Sequence, residues 1–516
     1  MQKRTQQRKN SAQRRSNGSV AKIATGIEGF DLIAEGGLPK GRTTLVSGTS
    51  GAGKTIFALE FLWRGVTEQG EPAVFVTFEE NPADIIKNVK GFGWDLKQLE
   101  SDGSLAFVDA SPVLGDSEVV GTYDFGALIA RIKHAIKKIK AKRVALDSVS
   151  ALFPRFAETG LIRSELFRLG AELKSLGVTT LMTAERLSEF GEIARFGVEE
   201  FVSDNVIILR NILENEKRRR TVEILKYRGA MHQKGEYPFT ISSTGISILP
   251  LSAMKLEQKS TDVRITSGVA ELDRMCGGGF FRDSIILVSG ATGTGKTLTV
   301  TTFANGTCEE GERAMLFAFE ESRDQLLRNG TSWGMKVKTW EDKGLLKVIC
   351  RYPETMGLED HLLLMRREID EFKPTRIAVD SLSALERVSS IKTFREFVIG
   401  LTSHLKTRQI AGLFTNTTPS LSGGESVTET HISSITDSII LLRYVEIHGE
   451  MRRGIGVLKM RGSWHDKEVR EYEITNTGMN IGGPFTNVEG IMLGTPRVLF
   501  SQERDRLASI ASGNGS

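Results

Sequence analysis

Apolar residues along the chain fall into two spacings. Short unbroken runs at Thr44-Leu-Val-Ser47, Ala73-Val-Phe-Val-Thr-Phe78 and Arg143-Val-Ala-Leu-Asp147 predict strands buried on both faces. Similar runs follow at Ile285–Ser289, Ala314–Phe319 and Arg376–Asp380. Between such runs, Phe125, Leu128, Ile129, Ile132, Ile136 and Ile139 recur at helical spacing, with Lys133, Lys137 and Lys138 among the polar positions. That stripe is core packing and needs no further role. Ile56–Leu62 and the segment from Leu298 also predict helices. Alternation of this kind implies an α/β fold. A mostly parallel sheet is flanked by helices, with ligands at the carboxyl ends of its strands.

The pattern occurs twice. Asp31 and Asp273 stand at the same offset as Lys54 and Lys296. With slight slippage, Glu79-Glu80 recurs as Glu320-Glu321, Asp147-Ser148 as Asp380-Ser381, and Lys226-Tyr-Arg228 as Lys459-Met-Arg461. The expected organisation is an arm over 1–20, a first unit over 21–250, a linker over 251–258, a second unit over 259–497 and a tail over 498–516. The 516-residue length suits two or more domains.

Both units carry the phosphate-cradling spacing G-x-x-x-x-G-K-[ST]. In the first it is Gly48, Thr49, Ser50, Gly51, Ala52, Gly53, Lys54 and Thr55; in the second, Gly290, Ala291, Thr292, Gly293, Thr294, Gly295, Lys296 and Thr297. Glycines let backbone N–H groups close around phosphate oxygens at a helix start, the lysine adds positive charge, and the threonine hydroxyl ligates Mg²⁺. With 53 glycines in the chain such a match can arise by chance, but a strand before and a helix after each loop support it. Asp147 and Asp380 end apolar strands, the form that delivers a carboxylate towards Mg²⁺. Glu79 and Glu320 are candidate catalytic bases supported by Glu80 and Glu321, and Glu320 is also a candidate metal contact beside Thr55 and Thr297. Lys226 and Arg228, like Lys459 and Arg461, alternate with apolar residues, so each pair points to one side of its strand. In ring-forming P-loop ATPases such pairs reach the neighbour's γ-phosphate. The units differ just upstream of Asp204 and Asp437. Glu200-Phe201 stands where the second unit has Ser433-Ser434, preceded there by Ser426, Thr428 and Thr430. A hydroxyl cluster in one copy only suggests a phosphate acceptor.

Composition changes this picture little. The net charge of +4 comes from the arm, whose Lys3, Arg4, Arg8, Lys9, Arg14 and Arg15 leave the remaining body net acidic. The arm reads as a solubilising tail or a contact for nucleic acid. Three unclustered cysteines suit a reducing cytoplasm, and scattered histidines give no metal-ligand spacing. No apolar run is long enough for a membrane span, and no secretory signal is expected.

The tandem P-loops, paired glutamates, K-x-R pairs and the stretch His431-Ile-Ser-Ser-Ile-Thr-Asp-Ser-Ile-Ile together resemble the KaiC family of clock ATPases and autokinases, over residues 20–497. The resemblance implies two RecA-like domains in an ATP-dependent homohexamer, with nucleotide between subunits. It implies a slow ATPase in the first domain, with Glu79 as base, and an autokinase in the second, with Glu320 as base. Ser433 and Ser434 become acceptors, Thr428 a transient acceptor, and Arg387 an arginine near the second site. Lys226, Arg228, Lys459 and Arg461 become residues acting across subunit boundaries. Dephosphorylation by reversal to ADP and a KaiB-like partner, docking beside the loop Ser111–Tyr123, are also implied. Three features depart from the family pattern: Ser-Ser replaces Ser-Thr, Glu429 replaces an aspartate, and the tail Phe500–Ser516 is unlike the KaiA-binding segment. Kinase activity independent of KaiA is therefore expected, and a signalling timer with a downstream kinase fits as well as a rhythmic clock. The rival readings are a DNA-dependent ATPase of the RecA or DnaB type and a nucleotide-gated scaffold.

Overall fold

The computed structural model describes residues 20–111, 125–155, 159–197, 202–214, 216–250, 260–418, 432–447, 449–486, 488–491 and 497–498. Most of the arm, the loop after Ser111 up to Tyr123, Glu200, Phe201, the linker, Ser426, Thr428, Glu429, Thr430 and the tail from Phe500 lie outside them. The chain divides into two compact units, Met1–Met254 and Lys255–Ser516.

In the first unit, nine strands form one sheet. They are β1 (Thr43–Gly48), β2 (Ala73–Thr77), β3 (Leu105–Asp109), β4 (Arg143–Asp147), β5 (Thr179–Glu185), β6 (Asn205–Glu214), β7 (Lys217–Tyr227), β8 (Glu236–Ser242) and β9 (Gly245–Ile248). The spatial order is β9-β8-β7-β6-β1-β5-β4-β2-β3. Strands β1 to β6 run parallel, and β7, β8 and β9 add an antiparallel wing. The second unit repeats this order with β10 (Ile285–Gly290), β11 (Ala314–Ala318), β12 (Leu346–Cys350), β13 (Arg376–Asp380), β14 (Ala411–Thr417), β15 (Ser438–Ile447), β16 (Glu450–Met460), β17 (Arg470–Thr475) and β18 (Gly478–Pro484). The predicted strand Ala73–Phe78 ends at Thr77, and the predicted strands carrying the K-x-R pairs end at Tyr227 and Met460, so Arg228 and Arg461 lie one residue past them.

Period-two alternation explains why the strand runs are apolar throughout. Val46, Phe75, Ala145, Leu181 and Ile207 face helix α1 (Lys54–Gln69) in one core layer. Leu45, Val74, Leu146, Met182 and Ile208 face helix α2 (Phe125–Ile139) in the other. The α2 stripe is buried at Phe125, Leu128, Ile129, Ile132 and Ile136, as its spacing predicts. Helix α3 (Lys296–Glu309) behaves differently, being buried nearly all round. Its Thr299, Thr301, Thr302 and Thr307 hydroxyls donate to carbonyls four residues back, at 2.7–2.9 Å, so these four buried hydroxyls are satisfied by the helix's own turns.

One buried arginine pins each unit. Arg143 Nε meets Glu71 at 2.7 Å while its other nitrogens donate to Phe61 O at 2.9 Å and Ala24 O at 2.8 Å. Space for it depends on Gly65, where a Cβ would stand 2.3 Å from Arg143 Nε. Arg376 repeats the role, pairing with Glu310 and donating to Thr266 O at 3.1 Å.

Candidate functional site: twin phosphate loops and a serine-bearing edge

Each P-loop leaves the carboxyl end of a central strand and enters a long helix. Gly53 and Gly295 hold φ of 97° and 91° immediately before α1 and α3. Lys54 Nζ donates to Gly48 O and Thr49 O at 2.9 Å, and Lys296 Nζ to Gly290 O and Ala291 O at the same distance. Burial lowers the proton affinity of both ammonium groups, against the nearby carboxylates that raise it. Replacing Gly295 by Ala is expected to close the second loop, because the new Cβ would lie 2.9 Å from Ile474 Cδ1 at a left-handed φ. Equilibrium titration should then fall from two nucleotides per chain towards one; retention of two would refute the loop's role.

Behind the loops stand the aspartates. Asp380 is 8% exposed and accepts from Thr297 Oγ1 at 2.6 Å and Thr415 Oγ1 at 2.6 Å. Asp147 accepts from Thr183 and Thr55 in the same way. Burial pushes both carboxyls above the usual range. An anionic carboxylate kept there, touching a P-loop hydroxyl, has the oxygen donors a hard divalent cation requires. The residues present therefore fit Mg²⁺ bound with a nucleotide.

The glutamates sit on the rim just past β2 and β11. Glu79 is flanked by Asp147 and Glu185, and loss of hydration followed by these charges raises its proton affinity. Glu320 accepts from Ser381 Oγ at 3.1 Å and pairs with Arg387. Glu80 and Glu321 are turned to asparagines, Asn88 and Asn329, each at 3.2 Å. Those bonds fix the rim and suit a supporting role. Both Asp147–Ser148 and Asp380–Ser381 peptide bonds are cis.

The remaining candidates gather elsewhere. Ser433 and Ser434 lie in the turn before β15, whose Ser438 registers with Ile286 near the start of β10. Asp437 fixes that turn, its N–H donating to Ile285 O at 2.8 Å and its carboxylate accepting from Ile285 N at 2.9 Å. Lys459 Nζ donates to Ser433 O and Thr436 O at 2.7 Å, and Arg461 to Ser434 O at 2.9 Å. In the first unit Lys226 reaches Ser203 O at 2.8 Å. Each K-x-R pair thus lies at the amino edge of the parallel sheet, whereas the P-loop of the same chain lies at its carboxyl edge. The strand β10 separates them by roughly 17 Å, at about 3.3 Å per residue.

Sequence reasoning did not pick out Thr183, Thr415, Glu185 or Glu189. The two threonines recur at matched positions and were findable. Glu189, which accepts from Thr49 Oγ1 at 2.6 Å and Asn211 N at 3.0 Å, carries no such signal. Among the described residues, no cluster of His, Cys, Asp and Glu is arranged to hold a metal, and no helix is long and apolar enough to cross a membrane.

A family model described as "ATPase: KaiC" matches residues 23–253 and 265–484. The circadian clock protein KaiC3 of Synechocystis sp. is 62% identical over 493 residues, covering 95% of this chain and 97% of that protein. The circadian clock oscillator protein KaiC of Thermosynechococcus vestitus is 59% identical over 498 residues, 96% of each chain. That of Synechococcus elongatus is 58% identical over 495 residues, 96% of this chain and 95% of its own. With both nine-stranded sheets matched from end to end and twin P-loops at their carboxyl edges, the chain belongs to the KaiC family of tandem RecA-like ATPases.

Proposed function

We propose that the chain forms a cytoplasmic homohexamer that hydrolyses ATP in its first unit and phosphorylates Ser433 and Ser434 in its second, between neighbouring subunits. The observation that carries this reading is the separation of serines and P-loop on opposite edges of one sheet, with Lys459 and Arg461 held at the serine edge. Ser433 and Ser434 lie at the end of the sheet opposite the P-loop of their own unit. A neighbour's carboxyl edge set against it brings acceptor, cations and nucleotide together, as in a closed heterologous ring.

Within such a site the serine hydroxyl oxygen attacks the γ-phosphorus, its proton passes to Glu320, and the bond to the β–γ bridging oxygen breaks to release ADP. Thr297, with Asp380 behind it and Glu320 at the rim, would hold Mg²⁺, which when bound would supply positive charge to the phosphates. Lys296 and the loop N–H groups orient the triphosphate, while Lys459 and Arg461 stabilise the transferring group. Reversal returns phosphate from serine to ADP. Each phosphoserine adds about −1.5 to −2 charges beside Lys459 and Arg461, which alters subunit packing and the surface offered to a KaiB-like partner. With Ser-Ser acceptors, transfer proceeds without KaiA, and the ring serves as a clock or signalling timer read by a downstream kinase.

Mixed rings test the transfer. Chains with Ser433→Ala and Ser434→Ala but intact Glu320 are combined with Glu320→Gln chains that keep both serines. Phosphate is expected on the Glu320→Gln chains by mass spectrometry. Phosphate confined to rings of unmutated chains would refute transfer between subunits.

A further inference from the structure

The loop after each K-x-R pair is docked on its own unit by a matched set of bonds. In the first unit Gln233 N donates to Ile33 O at 2.7 Å; in the second, Asp466 N donates to Met275 O at 2.8 Å. Ile33 and Met275 each end a short helix, Phe30–Ile33 and Ala270–Met275, just before a glycine turn. The second dock is close-fitting, since a Cβ at Gly277 would stand 2.7 Å from Trp464 O and 3.0 Å from Ser463 Oγ.

One cation locks each dock. Lys22 Nζ donates to Ala34 O at 2.6 Å, Glu35 O at 3.1 Å and Met231 O at 2.7 Å. Arg264 holds the corresponding place, donating to Cys276 O at 3.2 Å, Gly279 O at 2.6 Å and Ser463 Oγ at 2.6 Å. Its guanidinium carbon lies 4.0 Å from the Phe281 ring centroid. The units divide the work differently. Gly37 O takes its bond from Tyr227 OH, on the strand that carries Lys226. Met460 stands at the position of Tyr227 and its side chain has no donor, so Arg264 supplies the bond to Gly279 O as well.

In the second unit the docked loop begins directly after Arg461. The Arg461 side chain donates to Ser434 O and lies 3.6 Å from Asp437, but it is 52% exposed, and ion pairs so open to water fix a side chain weakly. Gly462 follows at a φ of 69°, and the next residue, Ser463, is the one that Arg264 grips.

We propose that Arg264 is a positioning residue for serine transfer: it clamps the 462–466 loop to the glycine turn and so holds Arg461 where a neighbour's γ-phosphate is met. This rests on the transfer between subunits set out above. The contacts of Arg264 are with the turn and the loop, so it acts through Arg461 rather than on the reacting atoms. It therefore serves the chain that offers the serines, not the chain that holds the nucleotide.

Full-length mixed rings test that asymmetry. Acceptor chains carry Glu320→Gln with both serines, and donor chains carry Ser433→Ala and Ser434→Ala with Glu320 intact. Arg264→Met, which keeps an unbranched apolar stem but loses every donor, is placed in one chain or the other. In the acceptor chain it is expected to slow phosphate incorporation about 10-fold, the scale of a misplaced catalytic group, with hexamer fraction and nucleotide content retained. In the donor chain the same substitution should cost much less. Arg264→Lys, the residue type that the first unit uses, should recover most of the rate in the acceptor chain. Equal loss in both placements, no loss in the acceptor chain, or no recovery with lysine overturns the proposal. If the mixture without any Arg264 substitution leaves the Glu320→Gln chains unphosphorylated, the transfer between subunits itself fails, and the role of Arg264 with it.

Discussion

Replacing Glu320 by Gln is expected to reduce phosphate incorporation at Ser433 and Ser434 by ~100-fold or more, the range for loss of a general base. Glu320 stands past β11, accepting from Ser381 and paired with Arg387, on the edge that carries Lys296 and Asp380. Glutamine keeps the shape and the Ser381 contact but cannot take the serine proton. Nucleotide binding, which rests on the loop and Asp380, should persist. Phosphosite mapping after hours with Mg-ATP, beside an equilibrium nucleotide titration, reads both quantities. Undiminished serine phosphorylation would remove Glu320 from the mechanism, whereas unmodified serines in unmutated chains that still hydrolyse ATP would revive the scaffold and DNA-motor readings.

The largest stability change is expected from Arg143→Ala. The substitution removes a guanidinium that is itself buried, strands the Phe61 and Ala24 carbonyls, and leaves Glu71 without its cation. Loss of a buried charged partner costs about 3–5 kcal/mol, tempered here because Glu71 is 26% exposed and can rehydrate. The first unit should unfold at markedly lower denaturant while the second keeps its own transition. Fluorescence of Trp63 and Trp94, stacked with centroids 5.5 Å apart in the first unit, contributes a signal for that transition. An unshifted first transition would show that packing around Gly65 closes the gap. Arg143 and Arg376 begin runs that predict buried strands, but nothing in the pattern shows which distant groups pair with them.

The sequence by itself determined the tandem α/β architecture, both P-loops, and the strands ending in Asp147 and Asp380. These are local features, since a glycine loop between strand and helix is encoded by neighbouring residues and its duplication repeats every landmark. The placement of Ser433, Ser434 and the K-x-R pairs was decided only by tertiary structure. Parallel register of β10 with β15, and antiparallel return through β16, sends them to the edge opposite the phosphate loop. Glu185 was likewise hidden. Its setting depends on β5 lying between β1 and β4, strands that are distant in sequence but adjacent in the sheet. Charges brought together across neighbouring strands have no sequence period, so pattern cannot reveal them and only the order of the sheet does.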